Sequence, residues 1–314
     1  MPLMGTSDAR RQYRDAENRL WAALGVRPEE TWLDLPRSGI RVRCQAVGDG
    51  TPLLFIHGGS ASGTSWADLA VRLPDRRCIL VDRPGTGLSD PVARPVESLD
   101  DLAALGDSLL PDLVDALALT AVDVVATSFG GWFALRGTLA APDRVRRLVL
   151  VAWVAGAPVA ALPFSLRVSF VPGLGTVLSW LPATRGTVRA IFRSLGMGQA
   201  LDEGLVPDEA LDAYAALLRW TPTFRNDHAL GRTFLSARGV DDRIVLDNAT
   251  RARLHVPVRS IWGIRDPFGG AEIARAFVDG FPDGRLVLRD AGHIPWMEDP
   301  DGIAADVRRA LADG

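Results

Sequence analysis

The sequence predicts an α/β protein with a doubly wound, mostly parallel, eight-stranded sheet and a helical insertion after the sixth strand. Three observations point there. Short apolar runs recur along the chain, and most of them end in small or polar residues. Helix-forming stretches alternate with most of these runs. One long segment, about 156 to 246, breaks the alternation and holds no clear buried strand. Nearly continuous apolar strands are buried on both faces, so helices must cover both sides of the sheet. Alternating β and α favours parallel order with crossover helices.

The elements follow in chain order. Residues 7–24 open with Ser7-Asp8, which suits an N-cap, and continue in helix formers that turn Leu20, Trp21 and Leu24 toward the body of the protein. TWLDL (31–35) and IRVRCQAVG (40–48), separated by Pro36 and Ser38-Gly39, read as two paired strands. PLLFIHGG (52–59), CILVDRPG (78–85), VDVVATSFGG (122–131), RLVLVAW (147–153), PVRSIWGIRD (257–266) and GRLVLRDAGH (284–293) supply the other six strands. Helices are expected at 64–73, 98–118, 131–140, 269–280 and 301–312. In the insertion, Pro163, Pro172, Gly173, Pro182, Gly186, Gly196 and Pro222 divide short helical pieces. The expected organisation is an N-terminal helical extension (1–30), a core in two parts (31–155 and 247–314) and a helical lobe (156–246) between them.

Composition removes several function classes. With 35 basic against 38 acidic residues the net charge is −3, which is no electrostatic footprint for nucleic acid. Every basic residue is arginine. Schiff-base chemistry, lysine-anchored pyridoxal phosphate and the phosphate-loop lysine are therefore excluded. Two cysteines, Cys44 and Cys78, are too few for a zinc cluster and read as free core thiols. The first twenty residues hold no apolar signal-peptide core, so a cytoplasmic location is expected. The 19 uncharged residues between Arg147 and Arg167 reach the lower length for a membrane span. Gly156, Pro158 and Pro163 interrupt them, which favours a buried strand and loop. Oligomeric state stays open.

In an open α/β sheet, ligands sit outside the carboxyl ends of the strands. Four residue groups fall there. Ser128, in Ala126-Thr127-Ser128-Phe129-Gly130-Gly131, sits on a sharp strand-to-helix turn that would expose its Oγ. His57-Gly58-Gly59-Ser60 follows another strand, and the N–H of Gly59 could join that of Phe129 in holding an oxyanion. His57 itself reads as a structural hydrogen-bonder. Asp266 and His293 follow the last two strands. Of the other histidines, His255 precedes a strand and His228 lies in the insertion. No Asp or Glu occurs between Asp143 and Asp202, so Asp266 is the best-placed acid.

These blocks, with Asp82-Arg83-Pro84-Gly85-Thr86-Gly87-Leu88-Ser89, occur in an order that resembles the α/β-hydrolase fold family in its cap-bearing branch. The resemblance covers roughly 31–155 and 247–314, and Ala126 departs from it where a glycine is usual. It implies Ser128 as nucleophile, His293 as general base, Asp266 as its orienting carboxylate and the N–H groups of Gly59 and Phe129 as oxyanion hole. The Asp82–Ser89 loop is implied to be scaffold. Haloalkane dehalogenases and epoxide hydrolases look similar but carry aspartate at the elbow, so Ser128 implies acyl chemistry. No metal or organic cofactor is expected.

The leading expectation is hydrolysis of a small, mostly apolar carboxylic ester, lactone or thioester through an acyl-enzyme. Activity should fall below about pH 6–7, where imidazole protonates. Alternatives using the same triad are carbon–carbon bond hydrolysis of meta-cleavage type and cofactor-free perhydrolysis. A different-class alternative is a non-catalytic ligand-binding protein on this fold. Ser60, Trp132, Trp153, Phe164, Phe170, Trp180, Phe192, Trp220, Phe224 and Ile294 are candidate pocket or lid residues around an apolar substrate. From Arg144 to Gln199 there are arginines and no acid, and Arg167, Arg185, Arg189 or Arg193 is a candidate for attracting an anionic group.

Overall fold

A computed structural model describes residues 6–92, 94–171, 173–175 and 182–312. Eight strands form one sheet: β1 (Glu29–Asp34), β2 (Arg41–Val47), β3 (Thr51–Ile56), β4 (Arg76–Val81), β5 (Val122–Thr127), β6 (Val145–Val154), β7 (Val258–Gly263) and β8 (Gly284–Arg289). Their spatial order is β1-β2-β4-β3-β5-β6-β7-β8. β2 is antiparallel to both neighbours, and the remaining pairs are parallel. The expected doubly wound, mostly parallel sheet is what the chain forms.

Burial explains the strand pattern. All six residues of β5 and of β7 are buried, as strands with helices on both faces require. Two apolar clusters lie on the two faces. One gathers Leu54, Val124 and Leu150 with Leu109, Leu113 and Phe133 of the helices α2 (Leu99–Ala116) and α3 (Ser128–Ala140). The other gathers Leu53, Phe55, Val125 and Val149 with Trp66, Trp296 and Val307.

The N-terminal helix α1 (Thr6–Ala23) buries Tyr13, Glu17, Leu20 and Trp21, with Leu24 partly buried behind them. It begins at Thr6, so Ser7 lies inside it and not at its cap. Arg43 of β2 donates to Glu17 Oε2 at 2.8 Å and to Glu30 Oε2 at 2.7 Å, and Asp82 approaches it at 3.4 Å. This buried ion cluster seats α1 on the core. Cys44 and Cys78 are buried free thiols, and burial pushes Cys78 up to about 12.

Between β6 and β7 the chain leaves the sheet. The described part of this lobe contains α4 (Phe164–Ser169), α5 (Arg185–Phe192), α6 (Asp208–Trp220) and α7 (Thr223–Gly231). It also holds a hairpin of two-residue strands at Leu235–Ser236 and Gly239–Val240, which the sequence reading did not anticipate. Among the described residues, no helix is long and apolar enough to cross a membrane.

Candidate active site

The core segments that follow β3, β5, β7 and β8 meet helices of the lobe at the carboxyl ends of those strands. Ser128 is the first helical residue after β5 and holds φ at +50°, a left-handed conformation that costs a non-glycine residue strain. Close approach maintains the turn. A Cβ on Gly130 would lie 2.2 Å from the His57 carbonyl oxygen, and one on Gly131 would lie 2.4 Å from Val154 Cγ1. Small residues at these positions let the helix press against the neighbouring strands. Ala126 is fully buried in β5, so its methyl group is accommodated.

Asp266 and His293 come together. Asp266 Oδ2 accepts from His293 Nδ1 at 2.7 Å and from the backbone N–H of Trp153 at 3.0 Å, while Oδ1 accepts from Phe268 N–H at 3.0 Å. All of these contacts are buried. The carboxylate thereby fixes one face of the imidazole and leaves Nε2 for other work. The loop carrying His293 is braced on both sides. Glu298 accepts from Gly292 N–H at 2.6 Å and from Arg265 at 2.9 Å. The N–H of His293 donates to Leu195 O, in the lobe, at 2.9 Å.

Ser128 and His293 line one cavity of about 230 Å³ and also a smaller one of about 50 Å³. Among the described residues no hydrogen bond joins the two, and in catalytic sites hydrogen bonds are often long before substrate binds. Gly59 and Phe129 line the larger cavity as well, and among the described residues neither N–H donates to a protein acceptor. The next amide does: Ser60 N–H, at φ +52°, donates to Asp227 Oδ2 at 2.6 Å.

His57 is wholly internal. Its Nδ1 meets Gly58 O at 2.8 Å, and its Nε2 meets Arg83 N–H at 3.1 Å and Thr86 Oγ1 at 3.0 Å. Burial, then the nearby Arg83 charge, holds its pKa well below the ordinary value, so it is a neutral strut.

Several candidate wall residues stand elsewhere. Phe164 is 80% exposed, because α4 turns its Leu166 and Ser169 side inward. Trp132 lies beneath the elbow, stacked on Phe129 and pressed against Gly106. Phe192 is buried inside the lobe against Tyr214. Trp220 packs in the cluster of Tyr13 and Leu217, with the Arg219 guanidinium over its ring. Trp180 falls outside the described residues. Ser60, Trp153, Phe170 and Phe224 do line the large cavity, and Ile294 lines the small one.

The lobe arginines point away from the cavity. Arg185 pairs with Asp208 and Asp212, Arg193 with Asp202, and Arg189 donates to Leu201 O. Arg167 borders a separate surface groove. The acids that pair with Arg185 and Arg193 lie beyond the acid-free stretch in sequence, which concealed the pairing.

Among the wall residues that sequence reasoning missed are Tyr214, Asp227 and His228. Asp227 is buried and ion-pairs with Arg83 at 2.8 Å. His228 sits between Phe170 and Phe224, with Nε2 at 2.8 Å from Ser169 O. All three ride on α6 and α7. Helix α7 docks on the 82–89 loop, where Gly87 N–H donates to Thr223 Oγ1 at 2.9 Å and Asn226 donates to Gly85 O at 2.7 Å. That loop is thus a platform for the lobe as well as scaffold. Among the described residues, no group of three or more His, Cys, Asp or Glu could hold a metal ion.

A family model described as the alpha/beta hydrolase family matches residues 53–306. The chain belongs to that family. It is 32% identical over 284 residues to a 2-hydroxymuconate semialdehyde hydrolase of Pseudomonas sp. (strain CF600), covering 88% of this chain and 92% of that one. In fold it is similar to naproxen esterase (carboxylesterase NP) from Bacillus subtilis, with a TM-score of 0.71 at 20% identity, over 99% of this chain and 100% of that one. It is equally similar to a 2-hydroxy-6-oxo-6-phenylhexa-2,4-dienoate hydrolase from Rhodococcus sp. strain RHA1, with a TM-score of 0.71 at 17% identity over 91% and 100% of the two chains. The protein is therefore an α/β-hydrolase enzyme.

Proposed function

We propose that this α/β hydrolase cleaves a neutral, mostly apolar carboxylic ester through a serine acyl-enzyme. The observation that carries the reading is the Asp266–His293 pair at 2.7 Å, opening on the same cavity as the strained Ser128. Ser128 Oγ attacks the carbonyl carbon while His293 Nε2 takes its proton. Asp266 holds the tautomer and stabilises the imidazolium. The N–H groups of Gly59 and Phe129 meet the developing oxyanion, each such donor typically contributing ~3 kcal/mol. His293 returns the proton to the leaving alcohol, and water then releases the acid. The roughly 230 Å³ cavity, walled by Trp153, Leu166, Phe170 and Phe234, favours an apolar group on one side of the ester.

Carbon–carbon bond hydrolysis is the second reading, favoured by the relatives named above. Substrates called dienoates carry a carboxylate. Among the described residues the cavity wall contains no arginine, and it does contain the carboxylate of Asp227, which argues for the neutral ester instead. The two free, buried thiols are in keeping with a reducing, cytoplasmic setting.

The test uses a fluorophosphonate probe, a panel of neutral esters and a vinylogous diketone acid. The expected result is labelling at Ser128 and turnover of the esters, both lost in Ser128→Ala. Turnover of the diketone acid with no ester cleaved would replace this reading with the second. An intact but unlabelled protein would favour binding without catalysis.

A further inference from the structure

One carboxylate oxygen on the wall of the large cavity has no hydrogen-bond partner among the described residues. Asp227 Oδ2 accepts from Ser60 N–H at 2.6 Å and from Arg83 at 2.8 Å. Its other oxygen, Oδ1, is buried and accepts nothing from the described residues. The Asp227 side chain is 3% exposed and belongs to the cavity wall. A buried carboxylate oxygen left without a donor is costly, so it calls for one from a bound molecule.

The cavity's other polar groups do not supply that donor. Ser169 Oγ donates to Leu166 O, Ser165 pairs with Ser194, and His228 is held by Ser169 O. Tyr214 shares the wall, and burial, then the Asp227 charge, raises its pKa, but it does not hydrogen-bond Asp227.

We infer that Asp227 Oδ1 is a specificity element that accepts a hydrogen bond from a hydroxyl on the substrate. This rests on the ester-hydrolase reading and narrows it to neutral hydroxy esters. Charge selects a neutral donor. Arg83 already balances Asp227 at 2.8 Å, so an ammonium would bring a second cation into an apolar pocket, and a carboxylate would meet a like charge. Position selects where the hydroxyl lies. Asp227 holds the amide of Ser60, the residue next to Gly59, so Oδ1 is within roughly two residue lengths, ~7 Å, of the expected oxyanion site. The hydroxyl then belongs two or three bonds from the scissile carbonyl.

Two matched pairs of probes test this: methyl mandelate against methyl α-methoxyphenylacetate, and methyl 3-hydroxy-3-phenylpropanoate against its 3-methoxy ether. Wild type should favour the hydroxy member of at least one pair by ~10-fold or more in kcat/KM. In Asp227→Asn the amide oxygen stays on Ser60 and Arg83 and the NH2 takes the place of Oδ1. The preference should then vanish or invert. A ratio within one variant does not depend on how much of it is folded, so a purely structural role would leave the ratio unmoved. Ratios near unity in wild type, or an undiminished ratio in Asp227→Asn, overturn the inference. If Asp227→Asn does not fold, the wild-type ratio decides. If no ester is hydrolysed, the ester reading fails separately, and affinities of the same probes for Ser128→Ala decide this one. Equal affinities, or no binding, overturn it.

Discussion

The backbone N–H of His293 donates to the carbonyl of Leu195 at 2.9 Å, joining the imidazole loop to the lobe above it. The neighbouring Gly196 sits at φ +83°, and a Cβ there would lie 2.4 Å from the Arg265 carbonyl oxygen. Gly196→Ala should therefore shift the peptide that anchors His293. We expect kcat to fall by about 10- to 100-fold with a smaller loss of stability, because small displacements of reacting groups are expensive in rate. Parallel ester kinetics and thermal melts check this. Unchanged kcat in a folded variant would deny the coupling.

Asp266→Asn should keep the fold and lose activity. The asparagine oxygen can still accept from Trp153 or Phe268, but the imidazole no longer has a carboxylate to set its tautomer. A kcat about 10⁴-fold lower is expected. The melting temperature should move by only a few degrees.

Two glycines near Ser128 should respond differently to alanine. A Cβ on Gly130 would lie 2.2 Å from the His57 carbonyl oxygen, while one on Gly59 meets nothing within 4 Å. Gly130→Ala should cost about 1–3 kcal/mol or more through overpacking. Gly59→Ala should melt close to wild type. Equal melting temperatures for the pair would contradict the close-packed elbow.

Acid should destabilise the protein through His57. Burial, followed by the Arg83 charge, depresses its folded-state pKa below the unfolded value near 6.5. The unfolded chain therefore binds the extra proton first. Stability from this group is fully present above about pH 6.5 and declines as pH falls, by up to ~1.4 kcal/mol per pH unit. Urea titrations between pH 5 and 7.5 measure the slope, and His57→Gln should flatten it.

Removing Arg43 should unseat the N-terminal helix. Its guanidinium is shared by Glu17, Glu30 and Asp82, and Glu17 and Asp82 are themselves buried. Arg43→Ala leaves uncompensated buried carboxylates and should cost about 3–5 kcal/mol. Limited proteolysis should then cut within residues 6–23 first. A wild-type melting curve would show that the cluster contributes little.

The sheet was legible because its signal is local: runs such as VDVVAT and VRSIWG are apolar on both faces, and all of their residues are buried. Asp266 and His293 were legible from their order along the chain and their positions after β7 and β8. Asp227 was not. Its partners are separated from it by 144 and 167 residues, and the contact exists only because α7 docks on the 82–89 loop. Phe164 and Phe192 were misjudged for a related reason. A helix of six or eight residues has too few turns to declare its inner face, and the packing of the lobe chose Leu166 for the cavity while turning Phe164 to solvent.

The double attachment of the lobe, through Leu195 to the imidazole loop and through Asp227 to Ser60, divides its residues into two kinds for anyone wishing to retool the enzyme. Leu162 and Leu166 shape the chamber without gripping either loop, so swapping them resculpts what fits inside. Leu195 and Asp227 belong to the wall but are also rivets, and a library that randomises them with the rest of it would scramble the machinery it hopes to redirect.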